Sequence, residues 1–140
     1  FAKILSYVPA TKAWGVYRYP LDAAKGGWVG LSELTAIGDD SFIVIERDNQ
    51  FGDGAIKTLK SFSVKGLKAG APGAAEIPVV PKSLVRNLVP DLQAPKGYVL
   101  DKIEGFAIDA AGSAFVVSDN DGVDGSSGET QFIPLGKLTR

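Results

Sequence analysis

Apolar residues along this chain come in short runs broken by turn residues. Phe42-Ile43-Val44-Ile45 and Ala114-Phe115-Val116-Val117 are short, largely β-branched or aromatic, and bounded by Asp39-Asp40 and Ala111-Gly112 on one side. Asp48-Asn49 and Asp119-Asn120 bound them on the other. Runs of this kind predict strands buried on both faces. A further strand is predicted before each, Gly30 to Ile37 and Ile103 to Ile108, and another after each, Lys57 to Val64 and Thr130 to Leu135. Ser83 to Val89 alternates and predicts one more. No stretch of ten or more residues carries a period of 3.6, so the expectation is all-β.

The chain also repeats. Glu33, Ala36, Ile37, Asp48, Asn49, Asp53 and Gly54 match Glu104, Ala107, Ile108, Asp119, Asn120, Asp124 and Gly125 without a gap, each pair 71 residues apart. Repeated units of three or four short strands suggest propeller blades. One four-stranded antiparallel blade would span 30–92, with a Gly/Ala/Pro insertion at 66–81. Residues 102–140 would start the next, and 1–29, with Trp14 to Leu21, would end a preceding one. Propellers close with about four to eight blades. The expectation is therefore part of a propeller, completed by a remaining portion or by other copies of the chain. A small β-sandwich or barrel is the alternative.

Composition narrows the chemistry. The 140 residues include no His and no Cys. That excludes a Ser-His-Asp triad, a thiolate nucleophile and a Cys/His zinc site within this chain. Ser32 and Ser118 thus lack a histidine to activate them. The remaining oxygen donors suit hard cations. Fifteen bases against sixteen acids leave a net charge of −1, which points to no nucleic acid. No apolar run is long enough to span a membrane as a helix. Twelve of the sixteen acids fall in 26–54 and 103–140. Solvated turns or a bridging cation both accommodate that crowding.

Asp119-Asn120-Asp121-Gly122-Val123-Asp124-Gly125 offers three carboxylates and an amide in a tight segment, suited to calcium. Its repeat partner offers Glu46, Asp48 and Asn49. Asx turns, in which these oxygens satisfy their own backbone, explain both segments more plainly. Glu33 and Glu104 stand at matched positions in apolar strands, where a carboxylate must meet water, a base or a cation. Metal ligation or acid/base work is the functional reading; a structural hydrogen bond to neighbouring strand ends is the plainer one. Arg47 is placed to contact phosphate or, more simply, to pair with its neighbours Glu46 and Asp48. Lys82 and Arg86 are expected in solvent, and the Trp14, Tyr17, Tyr19 and Trp28 group in packing.

Gly30-Leu31-Ser32-Glu33, then Phe42 to Asn49 with its Glu-Arg-Asp-Asn end, then Ile103 to Ala107 and Phe115 to Asn120, run in order. This series resembles the phytase-like family, labelled esterase-like activity of phytase, over roughly 28–135. The resemblance implies a calcium-associated β-propeller, exported to the periplasm or beyond, that hydrolyses a phosphoester. Glu33, Glu104 and Arg47 would then be the catalytic candidates. Asp119, Asn120, Asp121, Asp124, Glu46, Asp48 and Asn49 would be the metal candidates. A non-catalytic propeller, stabilised by calcium and binding a ligand or protein, is the rival.

Overall fold

A computed structural model describes residues 1–94, 99, 102–120 and 130–138. Its described residues are all-β apart from one short helix. A hairpin of β1 (Ala2–Val8) and β2 (Ala13–Tyr19) forms the first sheet. Strands β3 (Val29–Gly38), β4 (Ser41–Asp48), β5 (Lys57–Ser63) and β6 (Lys82–Asn87) form a four-stranded antiparallel meander. After α1 (Val89–Gln93), strands β7 (Ile103–Ile108), β8 (Ser113–Ser118) and β9 (Phe132–Lys137) form a three-stranded one. None of these sheets closes on itself, so the barrel alternative finds no support among the described residues. Separate meanders of this size are compatible with propeller blades.

Most expected strands are present. The strand predicted at Ser83 to Val89 stops earlier, at Asn87. Asn87 accepts a hydrogen bond from the Val89 amide through its side chain, and Pro90 then fits the first turn of α1. Five residues are too few for helical periodicity to show in sequence.

Strand alternation divides β4 between two cores. Ile43 and Ile45 face a core with Leu59, Leu92, Ile103, Phe106 and Val116, against the third sheet. Val44 and, partly buried, Phe42 face another with Tyr17, Tyr19, Phe62 and Val80, against the first hairpin. Burying each large aliphatic side chain contributes roughly 1.5–3 kcal/mol.

The insertion expected as a swollen loop at 66–81 docks on β2. Val16 and Gly70 exchange two backbone hydrogen bonds of 2.9 and 3.0 Å. The Arg18 amide donates to Pro78 (2.8 Å), and Val80 donates back to Arg18 (2.9 Å). β2 is thus held on both edges, which buries Tyr17 and Tyr19 as expected. Trp14 and Trp28 depart from the packing expectation: they remain about half exposed, at 57% and 49%.

The gapless repeat does not extend to the strand ladders. Glu33 faces Ile45, but Phe106, not Glu104, faces Val116, the counterpart of Ile45. Two residues join β3 to β4, and four join β7 to β8. The longer turn slips the register by two, an even number that leaves every side chain on its original face. Asp109 builds that turn by accepting hydrogen bonds from the Ala111 and Ser113 amides, and Gly112 takes its positive φ of 82°.

Candidate functional site

The carboxylates and arginine of interest meet where β3, β4 and β7 adjoin. Two β-bulges make the meeting possible. Ser32 is unopposed between Leu31 and Glu33 in the β3–β4 ladder, and Glu104 is unopposed between Ile103 and Gly105 in the β7–β8 ladder. Bulges turn a side chain out of the strand's regular alternation. Both unopposed residues reach the same guanidinium. Arg47 donates through Nε to Ser32 Oγ (2.8 Å) and through Nη2 to Glu104 Oε1. The Trp28 ring covers the guanidinium at 5.2 Å.

Arg47 is only 4% exposed. Its expected pairing with Glu46 and Asp48 is not among these contacts: Glu46 is engaged by Tyr19 and Lys82, and Asp48 by Lys57. What the geometry shows of Arg47 is that it ties Glu104 of β7 to Ser32 of β3.

Glu33 is half-buried beside this seam. Its Oε1 accepts from the Leu34 amide (2.8 Å), and its Oε2 accepts from the Phe106 amide (3.5 Å). Thr35 Oγ1 donates to the Phe106 carbonyl (3.1 Å). Two β3 side chains thus hold the backbone of one β7 residue from its open edge. These contacts match the structural hydrogen bond weighed for Glu33. The Glu104 side chain remains 36% exposed.

Glu46 and Asp48 are fully buried, each among the protein's own donors. Glu46 accepts from the Tyr19 hydroxyl (2.7 Å), the Asp22 amide (2.6 Å) and Lys82 Nζ (2.8 Å). Lys82 also pairs with Asp22 (2.7 Å), which pairs with Lys60 (2.9 Å). Burial, then the Glu46 carboxylate, pushes the Tyr19 phenol well above its ordinary value. Hydrogen bonds from Lys82 and Lys60 hold Asp22 below the usual carboxylate range. Asp48 accepts from Lys57 Nζ (2.9 Å) and the Ile56 amide (2.9 Å). Desolvation pushes Asp48 up, but Lys57 and the backbone amides outweigh it and leave the carboxyl low. Asn49 Oδ1 accepts from the Trp28 amide and from Gln50 Nε2.

This donor set does not fit calcium at Glu46, Asp48 and Asn49. Their oxygens are engaged inward, and the ammonium groups bound to Glu46 and Asp48 would repel a divalent ion. Lys82 is likewise not simply solvated, and Arg86 makes a two-pronged pair with Asp91 (2.6 and 2.8 Å). Asp119 is exposed and Asn120 half-buried at the end of β8, where the Asp119 amide donates to the Lys102 carbonyl (2.8 Å). That places Asp119 at the same sheet end as Glu104, and its hard oxygens suit calcium. Asp121 and Asp124 lie outside the described residues. Among the described residues no group of three acids is arranged to hold a metal.

Sequence reasoning missed Lys57, Tyr19 and Thr35 as site partners. For Lys57 the only available signal was an isolated base opening a predicted strand.

The fold and this seam define an all-β protein of antiparallel meanders joined through an arginine–carboxylate contact between sheets. A family model for phytase-like proteins, described as esterase-like activity of phytase, matches residues 1–122. The chain belongs to the phytase-like family. The match takes in the first hairpin, which the sequence resemblance left out. No curated protein and no solved structure matches the chain significantly.

Proposed function

We propose that the chain forms part of a phytase-like β-propeller that hydrolyses phosphoesters with the aid of calcium. The supporting observation is that Glu104 and Asp119 lie at one end of the three-stranded sheet, with Glu104 bonded to Arg47 of the adjacent sheet and Glu33 reaching the same strand β7 further along. Calcium, held with the help of Asp119 and Asn120, would neutralise phosphate charge and acidify bound water. Glu104, partly open to solvent, orients or deprotonates a water molecule. Arg47 and Ser32 keep its carboxylate in place, and Glu33 with Thr35 fixes the β7 backbone beside it. Family resemblance supports export from the cell, and no described helix is long and apolar enough to cross a membrane.

The test is phosphate release from p-nitrophenyl phosphate with calcium and with a chelator. Turnover that needs calcium, and falls at least tenfold in Glu104→Gln and Asp119→Asn, supports the reading. Unchanged turnover in both variants sinks the site.

The engaged state of Glu46 and Asp48 favours a second reading, a non-catalytic propeller in which buried ion pairs serve only the scaffold. It expects calcium to raise the melting temperature with no turnover of any ester.

A further inference from the structure

We propose that the groove between β1 and β3 binds an ester with an apolar alkyl or aryl group and a single anionic group, which Lys3 meets. This names the substrate class for the hydrolase reading and rests on that reading for turnover, but not for binding.

The groove has a volume of about 340 Å³, enough for a small ligand. Ile4, Leu31, Leu34, Val44 and Phe62 supply an apolar wall. Its rim is open: Leu5 is 62% and Leu34 53% exposed. Polar groups are few, namely Lys3, Ser32 and Glu33, and the last two belong to the seam described above.

The charge limit follows from where the neighbouring cations are spent. Arg47 is taken by Glu104, Lys60 by Asp22, and Lys82 by Asp22 and Glu46, while Arg18, opposite Lys3 in the first hairpin, lies over the Phe1 ring at 4.4 Å and does not line the groove. Lys3 is the one cation lining this groove, and it projects from an exposed position of β1. Across from it stands the Glu33 carboxylate, which repels a second negative group. One anionic group beside an apolar body suits this lining. A polyphosphate does not, because it would bring many charges to one lysine and one carboxylate.

The experiment is calorimetric titration of the full chain with octyl phosphate below its micellar concentration. Inositol hexakisphosphate and inorganic phosphate are titrated in parallel. A chelator is present throughout, so that only the chain's own cations act. Octyl phosphate should bind at least tenfold more tightly than either comparison anion. Lys3→Glu should weaken it about fivefold, and Leu34→Asp about tenfold. Both positions are exposed, and unchanged thermal unfolding of the variants would show that the fold is intact. Tighter binding of the hexakisphosphate, absence of octyl phosphate binding, or indifference to both substitutions overturns the proposal. Binding as described without hydrolysis of any ester would instead defeat the hydrolase reading and leave the groove's preference standing.

Discussion

Strands β4 and β8 each lie inside a sheet, yet of the two only β4 is covered on both faces by the described residues. From Ile43 to Asp48 every β4 residue is buried, including three consecutive charged ones. β8 alternates: Ala114, Val116 and Ser118 are buried, while Phe115 and Val117 are half covered. The difference lies in the neighbours. The first hairpin and the 66–81 insertion cover one side of the four-stranded sheet, and the third sheet covers the other. On the three-stranded sheet, Phe115 instead stacks with Phe132, itself 67% exposed. The lesson concerns charge. Where β4 ends in Glu46-Arg47-Asp48, β8 ends in Val117-Ser118 and is followed by Asp119. Double coverage obliges each buried charge of β4 to find an opposite one, and each does. Asp119 is exposed just beyond β8, where water screens its charge.

The sharpest way to break this comparison is to remove one partner of a buried pair. Lys57→Met should destabilise the protein by about 3–5 kcal/mol, because Asp48 is left buried and uncompensated. Adding Asp48→Leu should recover most of that loss. Asp119→Asn on β8 should change stability by no more than about 0.5 kcal/mol. Urea denaturation measures all three, and a Lys57→Met loss as small as that of Asp119→Asn would refute the contrast.

A smaller effect is expected from apolar truncation. Val44→Ala should cost about 2 kcal/mol and Val117→Ala under about 1 kcal/mol, since Val44 is buried and Val117 only partly so. Equal losses would show that β8 is as enclosed as β4. Next comes Tyr19→Phe, which removes one donor to buried Glu46 and should cost about 1–2 kcal/mol, read from the same denaturation curves.

The gentlest probe is acid. Asp22 and Asp48 titrate below their ordinary value in the folded protein. Their contribution is complete above the unfolded carboxylate value of about 3.9 and is lost as pH falls through the lower folded values. Stability should therefore decline as pH drops below about 4. The decline should be shallower in Asp22→Asn, and salt should weaken the Asp22 share because that side chain is 38% exposed. Thermal unfolding between pH 2 and pH 6 checks this, and a profile steepest near pH 6 would contradict it.

Much of the strand pattern was legible because it depends on local chemistry. Phe42-Ile43-Val44-Ile45 favours extended backbone wherever it lands, and Asp-Asp or Gly-containing turns punctuate it. The first hairpin was partly read through Trp14 to Leu21, while its first strand was passed over. Of the candidate site, Glu33, Arg47 and Glu104 were picked out, but their relation was not. Arg47 seemed destined for Glu46 and Asp48 by adjacency, but Tyr19, Lys82 and Lys57 from other strands engage those carboxylates instead.

Sequence by itself determined the all-β class, the family and the residue types able to act, because composition and local preference act over a few residues. Tertiary structure decided which charges meet. The partner of Asp48 is nine residues away, that of Glu46 thirty-six, and that of Arg47 fifty-seven. Those distances are bridged by hairpin register, two bulges and the packing of one sheet against the next. Each of these depends on how whole strands align, a property that no single stretch of residues carries.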